Sequence, residues 1–340
     1  MDKLLVGTIA PPHTRRVKIH RAMPSASPLK QPVHLILDWD GTLTTRDTLE
    51  HLGKLPRARD ARLQAASLDH SVAPVSTEMP WADLVEAYMV DYRAHEAKIP
   101  ATTSDPQDLV PWLRSLQSVE YASVKRTQDA NFFHRVTTED IITVVRSVID
   151  SGNLQLRSGW DGLFQLFLPS ASRSPTWSTP KISIVSVNWS ETFIRWSLFL
   201  ASQRLPHLDD GQKRRLGDMI NDMRIHANEI HGLNSPYGSS GRLIGNLRTS
   251  KDKLWAMEGI VATAEKNRED KPMVVYVGDS STDYECLRAA DIGFWINDVP
   301  ECEVGAEFAR IFRPLKHEAM DFRWAPDFAT VARVLGSLES

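Results

Sequence analysis

Cysteine is almost missing from this chain: 340 residues contain only Cys286 and Cys302. A disulfide framework is thereby excluded as the basis of the fold, and a reducing, cytoplasmic setting is the expectation. An excess of either charge is missing too. With 40 Lys and Arg against 43 Asp and Glu, the formal net charge is −3, which offers no general attraction to nucleic acid or to an anionic membrane. No uninterrupted apolar run approaches the length of a membrane span. The 10 tryptophans are scattered, without the basic interleaving of a single-strand nucleic-acid surface. The chain carries neither a G-x-S-x-G elbow nor a Walker-type glycine loop. His226 and His231 have no partners at a spacing that would make a zinc site. There are no internal repeats and no low-complexity segments.

What is present is a chain long enough to bury a full core, with 42% hydrophobic and 24% charged residues, ordinary for a globular protein. Residues 1–30 differ from the rest. Lys3, Arg15, Arg16, Lys18, Arg21 and Lys30 face one acid, Asp2. That bias suits an organellar transit segment, but Pro11, Pro12, Pro24 and Pro28 break any long amphipathic helix, so a disordered basic lead-in is expected.

The stretch Val33-His34-Leu35-Ile36-Leu37-Asp38-Trp39-Asp40-Gly41-Thr42 is an apolar run of strand length ending in two carboxylates one residue apart. Such runs suit a strand buried on both faces of a parallel sheet. Ligands of open α/β sheets bind beyond the carboxyl ends of these strands, where Asp38 and Asp40 fall. An acidic turn of no function is the plain alternative for D-x-D-G-T alone.

From about residue 54 to 178 no second buried strand appears. Helical spacing recurs instead: Trp81, Leu84, Val85, Tyr88 and Met89; then Leu109, Trp112, Leu113 and Leu116; then Ile141, Val144, Val145 and Val148; and a further helix around 160–168. This region is expected to be a helical cap inserted into the fold. Strand character returns at 181–187, ending near Ser186, and a helix follows behind Ser190 as N-cap. Residues 224–230 read as a short strand, and a helix is expected from about Ser250. Met273–Val277 is a second buried strand, ending in Gly278-Asp279-Ser280-Ser281-Thr282-Asp283. A short strand at 292–296 and a helix near 327–338 close the chain. Alternating strands and helices predict a doubly wound parallel sheet, an α/β fold with core 31–53 and 179–340 and cap 54–178.

Neighbouring parallel strands would bring Asp38, Asp40, Ser186, Asp279 and Asp283 to one sheet edge. Carboxylates crowded there repel one another unless a hard cation such as Mg²⁺ is bound among them. A lysine at the start of the helix near Ser250 would add positive charge. Lys251 and Lys253 compete for that place, and Lys251 is preferred because Leu254 and Trp255, three and four residues on, would form a buried face behind it.

These motifs, together with Ala227-Asn228 and Gly241-Arg242-Leu243-Ile244-Gly245, resemble the haloacid dehalogenase superfamily of phosphohydrolases, in its phosphoserine-phosphatase-like branch. The resemblance covers about residues 33–53 and 180–300. It implies that Asp38 is a nucleophile forming an aspartyl-phosphate, that Asp40 is the general acid and base, and that Ser186 and Lys251 hold the phosphate oxygens. It implies Mg²⁺ bound by Asp38, Asp279 and the main-chain carbonyl of Asp40, with Asp283 orienting the lysine or a metal water. Asp47 stands where amino-acid phosphatases of this branch carry a substrate-binding carboxylate, though as an isolated residue it reads equally as a helix-entry acid. Val187 and Asn188 replace the two glycines usual after the motif serine, so Asn188 is expected at the substrate and phosphoserine itself is disfavoured. The expectation is a Mg²⁺-dependent phosphatase of a small phosphorylated metabolite, with no nucleic-acid or membrane partner. A phosphotransferase or phosphomutase, or a non-catalytic regulatory protein of the same fold, are the alternatives.

Overall fold

The computed structural model describes residues 32–66, 79–98, 106–168, 181–265, 271–312, 315 and 320–338. The expected lead-in over residues 1–30 lies outside the described residues. In chain order the elements are β1 (Val33–Leu37), α1 (Leu49–Leu52), α2 (Leu55–Ala66), α3 (Trp81–Glu96), α4 (Pro106–Ser115), α5 (Gln117–Asp129), α6 (Thr138–Asp150), α7 (Trp160–Gln165), β2 (Lys181–Val185), α8 (Glu191–Gln203), α9 (Asp210–Asp222), β3 (Arg224–His226), β4 (Glu229–Ile230), β5 (Leu243–Ile244), α10 (Ser250–Glu265), β6 (Met273–Gly278), α11 (Tyr284–Ala289), β7 (Ile292–Ile296), α12 (Val304–Ile311), β8 (Arg323–Ala325) and α13 (Phe328–Ser337).

The six-stranded sheet has the order β3-β2-β1-β6-β7-β8 and every pairing in it is parallel. This is the doubly wound architecture that the haloacid-dehalogenase resemblance implies, with the helical insertion between β1 and β2. β1 lies at the centre, with Leu37 in register with Ile184 on one side and Val277 on the other. All five of its residues are buried. A central position explains the unbroken apolar run, because both faces are covered. Side chains alternate accordingly. Leu35 and Leu37, with Val275 and Val277, face a layer filled by α7, α8, α9 and α13; Ile36, with Val274 and Tyr276, faces one filled by α10, α11 and α12. The single polar residue of β1, His34, is buried and bonds through Nε2 to Ser183 Oγ of β2 at 2.9 Å.

Residues 224–230, expected as one strand, form two. Arg224–His226 joins the main sheet, while Glu229–Ile230 pairs antiparallel with β5 in a two-stranded ribbon. Buried Asn228 separates them, its side chain tying carbonyls of Val187, Asn188 and Leu247 (3.1, 3.1 and 2.7 Å), so the chain leaves the sheet there.

The insertion packs in more than one place. Leu52, Leu84, Phe132, Phe133 and Ile141 form a third cluster, which also takes in Trp189 and Phe193 of the core and Leu243 of the ribbon. Burying side chains of this size stabilises by about 1.5–3 kcal/mol each. Leu109 and Leu113 of α4 instead enter the layer beneath α10 and α11, and Trp160 and Leu163 of α7 enter the layer opposite. Among the described residues no helix is long and apolar enough to cross a membrane.

Candidate active site

The site forms where β1 and β6 end side by side. Asp38 follows β1 directly, and its N–H donates to Val277 O at 2.9 Å, extending the sheet by one bond. The chain then turns through Gly41 at φ +71°. A Cβ at Gly41 would overlap the Asp279 carboxylate, and one at Gly278 would overlap Asp283. The D-x-D-G and G-D motifs therefore need glycine for close approach as well as for the turn. Thr42 Oγ1 donates to Asp279 Oδ1 at 3.0 Å, fixing that carboxylate to the β1 turn.

Asp38, Asp279 and Asp283 can each place a carboxylate oxygen within 4.8 Å of the others. One ammonium compensates them. Lys253 Nζ lies 3.0 Å from Asp38 Oδ2 and 2.7 Å from Asp283 Oδ1, and all three side chains are almost completely buried. The lysine is Lys253, and the preference for Lys251 is corrected. Lys251 instead lies over the Trp255 ring, 4.1 Å from its centroid, and Trp255 is 56% exposed. The buried face of α10 runs through Lys253, Met257 and Ile260, spaced at i, i+4 and i+7. That spacing was the signal available in the sequence.

Asp283 is held on both oxygens. Oδ1 also accepts from Tyr276 Oη (2.6 Å), and Oδ2 accepts from Ser280 N (3.1 Å) and Oγ (3.0 Å). These bonds fix the oxygen that Lys253 Nζ meets. Asp38 Oδ1, by contrast, is buried without a hydrogen-bond partner. Burial, then the charges of Asp283 and Asp279, push Asp38 well above the usual carboxylate range, against the pull of Lys253. Burial and the Asp283 charge raise Asp279 to about 7. For Lys253 burial disfavours the charged form, but Asp283 and Asp38 outweigh it and hold the pKa above its ordinary value. The three acids with a single lysine form a basin short of positive charge, a donor set suited to a hard divalent cation.

Asp40 lies close enough for its charge to raise Asp38, and it is held by other partners. Oδ1 accepts from Thr48 N (2.7 Å) and Thr48 Oγ1 (2.6 Å), and Oδ2 accepts from Asn188 Nδ2 (2.9 Å). Burial and the charge of Asp47 raise Asp40 to about 6, with the Thr48 and Asn188 hydrogen bonds opposing. Asn188, expected at the substrate, is committed within the protein: it is buried, and its Oδ1 accepts from Ser190 N at 3.1 Å. Its amide also supports Asp40. Ser186 is buried at the end of β2, where its Oγ accepts from Asn188 N at 3.2 Å. Asp47 is exposed and caps Leu49 N at 2.7 Å, the helix-entry role, while its charge also reaches Asp40.

Several contributors had no role assigned from the sequence: Thr42, Thr48, Tyr276 and Arg157. Thr42 lay inside the D-x-D-G-T motif, but Arg157 stands 115 residues further on and had no local signal. Arg157 is buried; its Nε donates to Thr42 O at 3.0 Å and its Nη2 to Gly41 O, so the returning end of the insertion braces the turn it left from.

No family model matches the chain. In sequence it is 26% identical over 263 residues to a CTO1 family protein of Schizosaccharomyces pombe, spanning 76% of this chain and 79% of that one. Solved structures similar to it include a phospho-aspartyl intermediate analogue of phosphoserine phosphatase, 13% identical with a TM-score of 0.42, covering 90% of this chain and 99% of that one. Another is a phosphoserine phosphohydrolase-like protein of Francisella tularensis, 15% identical with a TM-score of 0.42, covering 89% and 99%. A haloacid dehalogenase family hydrolase of Salmonella enterica is 12% identical with a TM-score of 0.40, covering 87% and 69%.

Proposed function

We propose that this chain is a Mg²⁺-dependent phosphomonoester hydrolase of a small phosphorylated metabolite, working through an aspartyl-phosphate on Asp38. One observation carries the reading: the buried Asp38 carboxylate has one oxygen fixed by Lys253 and the other, Oδ1, without a donor, at the end of the central strand. An oxygen so placed is available to a phosphorus atom or a cation. A carboxylate is a recognised nucleophile for phosphoryl groups.

In the first step an Asp38 oxygen forms a bond to phosphorus as the ester P–O bond breaks, and Asp40 gives a proton to the departing alkoxide. In the second, Asp40 takes a proton from water as the water oxygen bonds to phosphorus and the Asp38–phosphorus bond breaks, releasing inorganic phosphate. A carboxyl group raised to about 6 suits both directions of transfer. Thr48 and Asn188 keep its orientation. Lys253 and Ser186 provide the ammonium and hydroxyl for the non-bridging oxygens, and Asp283 with Tyr276 holds Lys253 in place. Asp38, Asp279 and the Asp40 carbonyl would hold Mg²⁺, which when bound supplies charge neutralisation between nucleophile and phosphate. Two unpaired cysteines, Cys286 and Cys302, fit a reducing cytoplasm.

Hydrolysis of an aryl phosphate, with Mg²⁺ or EDTA, tests this in wild type and Asp38→Asn. Turnover requiring both metal and Asp38, with a loss on the order of 10⁴-fold or more in the variant, is expected. Activity retained by Asp38→Asn rejects it. Should the generic ester be refused, Mg²⁺-dependent stabilisation by beryllium fluoride in wild type alone is the expected result, and its absence also rejects the reading.

A further inference from the structure

Arg248 is a buried cation with no part in the proposed catalytic steps. It is 9% exposed, and its Nε is buried without a partner. Its terminal nitrogens make only long hydrogen bonds, Nη1 to Asn246 Oδ1 at 3.4 Å and Nη2 to Gly245 O at 3.2 Å. The guanidinium stacks 4.5 Å from the ring centroid of Tyr121 on α5. Among the described residues no carboxylate forms an ion pair with it. The Glu120 carboxylate on α5 feels its charge without pairing with it, so the buried cation is only partly compensated, and the remaining cost is offset when an anion arrives.

Its backbone is tied to elements that carry active-site residues. Arg248 stands at the entry to α10, five residues before Lys253. Its neighbour Leu247 is bound on both sides by Asn228: Leu247 N donates to Oδ1 at 3.1 Å, and Leu247 O accepts from Nδ2 at 2.7 Å. Asn228 Nδ2 also donates to the carbonyl of Asn188 at 3.1 Å, and the Asn188 amide holds Asp40. On the insertion side, Tyr88 Oη of α3 donates to Glu120 Oε1 of α5 at 2.8 Å. Burial raises the Glu120 pKa while the Arg248 charge lowers it, and the Asp47 charge is felt by both Tyr88 and Asp40. Arg248 therefore sits between α5 and the start of α10, one residue from the Leu247 that Asn228 links to Asn188.

We propose that Arg248 is a specificity residue that binds a second anionic group, a carboxylate or a further phosphate, on the phosphorylated substrate. The planar guanidinium fork matches either group with two parallel hydrogen bonds, and stacking on Tyr121 sets its plane in advance. This deepens the phosphatase reading and rests on it.

The test is a binding measurement with non-hydrolysable probes in the presence of Mg²⁺, so it does not depend on turnover. Propylphosphonate is compared with 3-phosphonopropionate and with propane-1,3-bisphosphonate by calorimetry. Wild type should bind at least one of the doubly anionic probes about 10-fold or more tightly than propylphosphonate, the gain of a charge-assisted pair. Whichever is preferred identifies the second group. In Arg248→Met that ratio should fall to about one, with circular dichroism confirming a native fold. If Arg248→Met does not fold, Arg248→Lys decides, and its ratio should drop at least about threefold because a point charge replaces the fork. A wild-type ratio near one, or a ratio unchanged in a folded variant, overturns the Arg248 assignment while the catalytic reading stands. Failure of wild type to bind any of the probes overturns both.

Discussion

The strand-end basin and the helical insertion are built on different principles. In the basin, position is fixed by backbone. Asp38 and Asp279 leave adjacent parallel strands in register, and glycines at 41 and 278 leave no space for any other side chain. Chemistry there tolerates little substitution. In the insertion, position is fixed by apolar packing, with Phe132, Phe133, Ile141 and Val145 buried against Trp189 and Phe193. Such packing accepts many residues of the right size. The basin can thus carry a motif readable across distant chains, whereas the insertion carries only a periodicity. Arg157 and Arg248 belong to the seam between the two, where polar groups reach from one region to the other.

The contrast is tested most severely inside the basin. Asp40→Asn keeps the hydrogen-bond acceptor but loses the proton, and turnover of an alkyl phosphate should fall by about 10²–10⁴-fold. A nitrophenyl ester, whose leaving group needs little protonation, should lose much less; equal losses on both esters would remove Asp40 from the acid role. Next come the two lysines on one helix. Lys253→Met leaves Asp38 and Asp283 buried without their cation, and should cost about 3–5 kcal/mol by denaturant unfolding. Lys251→Met should stay within about 0.5 kcal/mol of wild type. Reversal of that order would mean α10 docks by its other face.

Titration offers a smaller effect with a definite sign. Asp40 and Asp279 rise from 3.8 to about 6 and about 7 on folding. The folded, metal-free protein thus retains protons that the unfolded chain has released, and its stability falls as pH rises from about 4 to about 7. A cation held by Asp279 must displace its proton, so the increase in Tm on adding Mg²⁺ should be small near pH 5 and larger near pH 8. A shift independent of pH would place the ion elsewhere. The smallest effect is expected where α4 meets α11. Arg114 and Glu285 form an ion pair there, but the arginine side chain is 44% exposed, so Arg114→Ala should cost no more than about 1 kcal/mol. A larger loss would show that the insertion is held to the core by charge and not by Leu109 and Leu113.

Legibility followed the same division. The five-residue β1 and the G-D-S-S-T-D turn were plain in the sequence, because a strand covered on both faces has to be apolar throughout and its end must turn. The helices of the insertion were visible by spacing, but their partners were not. Nothing local distinguishes Leu113, which packs beneath α10, from Leu84, which packs within the insertion. Asn188 stands out in the sequence as a departure from the glycine pattern, but nothing local shows that its amide bonds Asp40, a partner 148 residues away.

By itself, then, the sequence determined the alternation of strand and helix, the parallel sheet, and the acidic residues at its edge, since these follow from periodicity and from what a turn requires. Tertiary structure alone decided which lysine, which amide and which arginines serve that edge. Residues two apart on a helix point about 200° away from each other. Only one of Lys251 and Lys253 can face the carboxylates, and the docking of α10 through Met257 and Ile260 chose Lys253.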